Sequence, residues 1–294
     1  MRIRVTSLSL FLILIGFCDG IRRQSVRVAG QLKCGDKPAS GVKVKLWDED
    51  DGPDPDDLLD QSETDRNGNF DLEGSTSEFT TIDPVFKIYH DCDDSYKPGK
   101  RKVKLRIPSQ YITSGSKAKK TFNVGVLNLE TIFAKEERDL LMHFVVTIVV
   151  FCSSAVIATN FRQQSVAVKG KLLCGTAAAR NVRVKLWDKD LGPDPDDLLQ
   201  QGYTDAQGMF FLQGDAKELT TLDPVLKIYH DCDDTMKPGQ RKVKLKIPSQ
   251  YITGGRTAKT VFDLGVLNLE TIFPVSFSEV LNFTNFEPLT LIKV

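Results

Sequence analysis

Residues Ser25 to Phe133 are written a second time from Ser165 to Phe273 without an insertion or deletion, each residue finding its counterpart 140 positions later. Of the 109 aligned positions 72 are identical. That is enough to require one fold for both copies, and the changed positions mark what the fold tolerates. The period is far too long for a solenoid or propeller repeat. Each copy is long enough to bury one small core, so a chain of 294 residues reads as two whole domains. The expected division is a leader at 1–20, a first domain at 21–139, an apolar segment at 140–158, a second domain at 159–273 and an unassigned tail at 274–294.

The leader begins with Arg2 and Arg4, continues with an apolar run from Leu8 to Phe17 and ends in Cys18-Asp19-Gly20. A basic start, a short apolar core and small residues before a cut make a secretory signal peptide, and the run is too short to span a bilayer comfortably. The expected location is extracellular. Of six cysteines, Cys18 lies in the leader and Cys152 in the central apolar stretch. That leaves Cys34 with Cys92 and Cys174 with Cys232, one pair per copy, which in an exported protein reads as one disulfide per domain. Lys plus Arg equals Asp plus Glu, 39 each, and nothing in that balance suggests a nucleic-acid partner.

The stretch Leu140 to Ala158 is long enough to cross a membrane, which would make this a tethered cell-surface protein. A span would put the second cysteine pair in a reducing compartment. A buried linker would be a large unexplained apolar patch. A second signal peptide fits better: Met142 starts it, Phe144 to Phe151 is its core, and Val156-Ile157-Ala158 precedes a cut. On that reading the duplicated unit is a complete small secreted protein. In the tail, Asn282-Phe283-Thr284 is a glycosylation sequon.

Each copy reads as strands. Val26, Val28, Leu32 and Cys34 share parity, as do Val42, Val44 and Leu46, then Phe86, Ile88 and Cys92, then Val103, Leu105 and Ile107. Polar residues fall between them, the period of a half-buried strand. Turn signals sit at Gly35 to Pro38, Asp65 to Gly68, Lys97-Pro98-Gly99 and Ser114-Gly115. Many short strands at such intervals suggest an all-β sandwich. Parity turns both cysteines of a pair toward the interior, and also His90.

Several of these segments carry a family resemblance: Val26 to Gly30 with Leu32 and Cys34; Val44-Lys45-Leu46 with Asp48; Asp56-Asp57-Leu58-Leu59; Thr64-Asp65; Ile88-Tyr89-His90-Asp91-Cys92; Arg101-Lys102-Val103; Leu127-Asn128-Leu129; and Glu136-Glu137-Arg138-Asp139. Together they resemble the transthyretin-like family of nematodes, twice over. The resemblance implies two extracellular β-sandwich domains of about seven or eight strands each. Relatives often carry further cysteines where this chain has Gly99 and Leu140, and Gly239 and Val280. The second copy also lacks Glu-Glu-Arg-Asp after Phe273.

Three kinds of chemistry remain to be weighed. Transthyretin-fold hydrolases that open a urate-derived ring use a histidine–arginine cluster and a terminal Tyr-Arg-Gly-Ser. This chain has three histidines, one of them in the central apolar segment, and no such ending, so no enzyme is expected. The acidic loop Asp48, Asp50, Asp54, Asp56 and Asp57, repeated as Asp188, Asp190, Asp194, Asp196 and Asp197, offers carboxylates for Ca²⁺; otherwise it is a solvated, proline-stiffened loop. Lys102, Lys104 and Arg106, repeated as Lys242, Lys244 and Lys246, share one solvent face and suit anionic lipid head groups or acidic glycans; otherwise they guard an edge strand. The function expected is a secreted, non-enzymatic binding or signalling protein whose partner is an extracellular protein, a lipid or a small hydrophobic ligand. The alternatives are a carrier of such a ligand and a membrane-tethered protein.

Overall fold

The alternation at Val26, Val28 and Leu32 becomes strand β1 (Arg22–Cys34), in which all three side chains are buried. The structure is a computed structural model and describes residues 22–49, 56–94, 97–139, 162–189, 196–233 and 239–273. The first repeat continues with β2 (Lys37–Pro38), β3 (Lys43–Asp48), β4 (Asp57–Glu63), β5 (Asn69–Glu78), β6 (Pro84–His90), β7 (Lys100–Arg106), β8 (Thr113–Ser114), β9 (Phe122–Asn128), β10 (Ile132–Phe133) and β11 (Glu137–Asp139). The second repeat contributes β12 (Arg162–Cys174), β13 (Ala177–Ala178), β14 (Arg183–Asp188), β15 (Asp197–Tyr203), β16 (Met209–Glu218), β17 (Pro224–His230), β18 (Arg241–Lys246), β19 (Thr253–Gly254) and β20 (Val261–Asn268). The leader, most of the acidic loop and the tail with Asn282 lie outside the described residues, as does the whole Leu140 to Ala158 stretch. No helix among the described residues is long and apolar enough to cross a membrane.

In each repeat two sheets face one another. In the first, β1 pairs antiparallel with β5 and parallel with β9, and the second sheet runs β11-β7-β6-β3-β4. Leu32, Leu46, Leu72, Phe86, Leu105 and Phe122 fill the space between them, and the Phe70 and Phe86 rings stack at 4.6 Å. The expected turn at Asp65 to Gly68 forms because the Asp65 carboxylate accepts the Asn67 and Asn69 amides at 2.8 and 2.7 Å. Gly68, at φ +78°, is required there: a Cβ would stand 2.1 Å from the Leu32 carbonyl oxygen.

Two features depart from the sequence reading. First, the basic strands are not edges. β7 lies between β6 and β11, and β18 lies between β17 and β10, a strand of the other repeat. Lysines there have no edge to guard. At the end of its sheet opposite β11 the edge is β4, and at the end opposite β10 it is β15. Neither showed as a strand in the sequence, because an edge exposed on both sides has no apolar alternation. Second, the two sandwiches are not separate. β9 pairs antiparallel with β20, and this joins the β1 and β12 sheets into one sheet of ten strands.

Disulfides join Cys34 to Cys92 and Cys174 to Cys232, each across 58 residues. The four cysteines are half-buried and pack against the rim of the core.

Candidate functional site

Strand parity puts a second, outward set of side chains on the sheet of β3, β6 and β7. Lys43, Lys45 and Trp47 come from β3; Lys87 and Tyr89 from β6; Lys102, Lys104 and Arg106 from β7. The register sets Lys45 beside Lys87, Lys87 beside Lys104, and Tyr89 beside Lys102. The result is a grid of cations and aromatic rings. Lys87 Nζ lies 4.6 Å from the Trp47 ring centroid, and Lys45 Nζ lies 5.3 Å from Trp47 and 5.6 Å from Tyr89. Such contacts hold a cation over a ring face at little cost in hydration. Burial, then the neighbouring Lys43 charge, lowers the Lys45 pKa.

The second repeat keeps this grid. Lys227 Nζ is 4.2 Å from the Trp187 ring, and Lys185 Nζ is 5.6 Å from Trp187 and 5.8 Å from Tyr229. Arg183 stacks on Tyr229 at 4.6 Å, and Lys242 Nζ approaches the same ring at 5.7 Å. Burial, followed by the charges of neighbouring lysines, pushes Lys242 and Lys244 below the ordinary lysine value. Lys246 leaves this face to pair with Asp223 at 2.9 Å.

What differs is the counter-charge. In the first repeat Glu49 bridges Lys87 at 2.7 Å and Lys104 at 3.3 Å, and Glu137 of β11 bridges Lys102 at 3.2 Å and Lys104 at 3.7 Å. Burial opposes the charge on Glu49, but Lys87 and then Lys104 outweigh it and hold the carboxyl below its usual range. The second repeat has Lys189 where the first has Glu49, and Phe277 where the first has Glu137. One described carboxylate reaches its grid, Asp196, 3.2 Å from Lys227. The same scaffold holds Glu49, Asp56 and Glu137 against its lysines in one copy, and Lys189 in place of Glu49 in the other.

The acidic-loop positions do not converge where they are described. Asp48 is buried and accepts the Asp83 amide at 2.6 Å; Asp188 does the same for Asp223 at 2.7 Å. Asp56 lies 3.8 Å from Lys87, Asp57 accepts from Thr76 at 3.1 Å, and Asp197 belongs to β15. Asp50, Asp54, Asp190 and Asp194 fall outside the described residues. The carboxylates at 48 and 188 hold a neighbouring backbone turn, a fold role the sequence did not reveal.

His90 is 2% exposed, as its parity requires, with Nε2 3.6 Å from Glu136. Arg101, also buried, grips Glu136 through Nε at 2.6 Å and Nη2 at 2.8 Å. It also donates to the carbonyls of Cys92, Leu129 and Thr131. This arginine anchors the last strand to the disulfide loop. Arg241 makes the three equivalent carbonyl contacts in the second repeat, where Ser276 replaces Glu136 in sequence. Burial, then the Arg241 charge, lowers the His230 pKa to about 4.

The sequence found Lys102, Lys104 and their counterparts, and the structure brings them together with residues it missed: Lys45, Trp47, Lys87 and Tyr89. The signal was present in the shared parity of Lys43, Lys45 and Trp47.

Comparison with known proteins matches the transthyretin-like family model to residues 29–108 and again to 169–248. Transthyretin-like protein 46 of Caenorhabditis elegans is 64% identical over 134 residues, 45% of this chain and 75% of that protein. Transthyretin-like protein 33 of the same nematode is 48% identical over 45% of this chain and 93% of its own length, and transthyretin-like protein 5 is 43% identical over 45% and 94%. One repeat therefore accounts for nearly the whole of these last two relatives. Solved structures superpose weakly: a Cyanothece 9R-lipoxygenase reaches a TM-score of 0.22 at 22% identity, covering 41% of this chain and 18% of that one.

Proposed function

Because the chain belongs to the transthyretin-like family, we propose that it is an extracellular, non-enzymatic binding protein whose second repeat meets anionic lipid head groups. The observation that carries this reading is the exchange of Glu49 for Lys189 over a retained grid of lysines and aromatic rings. Arg183, Lys185, Lys189, Lys227, Lys242 and Lys244 share one outward region, and each cation near an anionic membrane contributes about 1 kcal/mol. Trp187 and Tyr229 suit an interface that is apolar on one side and wet on the other. The expected binding is electrostatic, so salt weakens it within a Debye length of about 8 Å at physiological ionic strength. Flotation of the full chain with vesicles, with and without phosphatidylserine and at two salt concentrations, tests this. Co-flotation that needs phosphatidylserine and falls with salt supports it; absent or salt-insensitive binding refutes it.

A second reading is the carriage of a small hydrophobic ligand. It draws on a groove of about 790 Å³ at the junction of the repeats, lined by Ala29, Gly30, Val126, Leu173 and Val266 among others. Partition of an environment-sensitive apolar dye into the full chain tests it, and a dye signal unchanged by Val126→Gln removes it. A tethered form depends on Leu140 to Ala158, which lies outside the described residues.

A further inference from the structure

The junction between the repeats has a register that only a two-fold arrangement produces. Val126 faces Val266, its own counterpart; Leu127 faces Gly265, and Gly125 faces Leu267. Most contacts around this point are made twice with the roles exchanged. Tyr111 donates to Glu270 at 2.5 Å, and Tyr251 donates to Glu130 at 2.6 Å. Gln110 reaches Glu270 at 3.3 Å, and Gln250 reaches Glu130 at 3.2 Å. The Asn128 amide donates to the Asp263 carbonyl and the Asn268 amide to the Asn123 carbonyl, both at 2.8 Å. Ile132 sits opposite Lys246, while Ile272 bridges to Arg106. The Phe133 and Phe273 rings lie across the axis, 6.1 Å apart and 11° from parallel.

A surface that satisfies another copy of itself in this way is isologous, the form of a two-fold dimer interface. Its geometry is built in. Gly125 and Gly265 hold φ of +91° and +92°, and a Cβ on either would stand 2.1 or 2.2 Å from the facing carbonyl oxygen. The nine residues from Gly125 to Phe133 are identical to Gly265 to Phe273. We propose that the β9 edge of each repeat, with Tyr111, Asn128 and Glu130 around it, is a self-recognition surface. The partner it fits is another copy of the same unit, joined in one chain or free.

One contact breaks the symmetry and gives the pairing a preference. Lys33 reaches Asp263 at 3.3 Å, while the counterpart positions are Leu173 and Asn123. A first–second pair makes this ion pair; a pair of two first repeats or of two second repeats does not. The covalent link between Asp139 and Arg162 is then unnecessary for association, and a cut chain keeps its two-unit body.

The test uses the full chain with one protease site placed between Asp139 and Arg162. After cutting, native mass spectrometry at micromolar concentration should show first–second pairs as the dominant species, with first–first and second–second pairs also present. Glu130→Lys with Glu270→Lys should abolish all three. Tyr111→Phe with Tyr251→Phe keeps the ring packing on Phe122 and Phe262 and should weaken pairing at least about tenfold. That milder pair of changes keeps the test sound if the charge reversals disturb folding. Halves that separate while circular dichroism still shows folded sheet overturn the proposal. So do exclusive first–second pairs, or pairing unaffected by both sets of substitutions.

Discussion

Acidification should destabilise the second repeat from about pH 6.5 downward, before carboxylates begin to respond near about pH 5. His230 is 3% exposed, and neither ring nitrogen has a hydrogen-bond partner among the described residues. Burial, then the Arg241 charge, lowers its pKa from 6.5 to about 4, with Asp231 opposing. The folded state therefore stays unprotonated through a range in which the unfolded chain takes up a proton. Between pH 6.5 and 4 the unfolded state binds more protons, so stability falls as pH falls. At about 1.4 kcal/mol per tenfold change in the proton equilibrium, the drop accumulates to about 3 kcal/mol across that window. Carboxylates held below their usual values, such as Glu136 and Asp94, begin to withdraw their stabilisation at about pH 5 and below, so the comparison with His230→Leu isolates the histidine's share. The first repeat provides a comparison inside the same molecule. Burial lowers His90 too, but the Glu136 carboxylate, 3.6 Å from Nε2, opposes the shift. Urea unfolding of the full chain at about pH 7 and pH 4.5 measures the effect. His230→Leu should remove most of the acid-induced loss, and His90→Leu a smaller part. If His230→Leu leaves the pH dependence unchanged, burial of a neutral histidine is not its source.

Gly125→Ala forces a Cβ toward the Val266 carbonyl at a positive φ, and should lower the thermal midpoint and loosen the β9–β20 junction. Gly115→Ala, at φ +108° with open space around it, should show the backbone strain alone, about 1 kcal/mol or more. Replacing Cys34 and Cys92 together by alanine opens a loop of 58 residues; the chain-entropy model gives a loss of about 4 kcal/mol, read by denaturant unfolding under oxidising conditions. Thr64→Val removes a buried hydroxyl that accepts the Val42 amide at 2.9 Å and donates to the Ala39 carbonyl at 2.6 Å; a cost of about 1–3 kcal/mol is expected in the same assay.

The sequence revealed those strands that bury one face. Val44 and Leu46, or Val103 and Leu105, alternate with lysines because core and solvent alternate across the pleat. β4 and β15 escaped notice because both their faces are largely exposed and a bulge opposite Leu46/Trp47 and Leu186/Trp187 breaks the period. The junction was hidden for the opposite reason: an apolar edge such as Gly125 to Leu129 looks the same in sequence whether it meets its own core or a second unit. Its trace was the unbroken identity from Gly125 to Phe133. Of the cation face, the lysines of β7 were legible and Lys87 was not, since Lys87 stands in the apolar run Val85 to Ile88. That Glu49 neutralises Lys87 and Lys104 depends on three strands in register, which spacing along one strand does not report.

The membrane reading turns chiefly on positions 49 and 189: Glu49 bridges Lys87 and Lys104, whereas Lys189 adds a cation to the matching face. The most direct measurement is vesicle flotation of the full chain with the two residues exchanged one at a time. Lys189→Glu should restore the bridge seen at Glu49 and sharply reduce binding to phosphatidylserine vesicles. Glu49→Lys should open the first repeat and increase it, each change reversing with added salt. Equal binding by both variants and the parent chain would contradict the account.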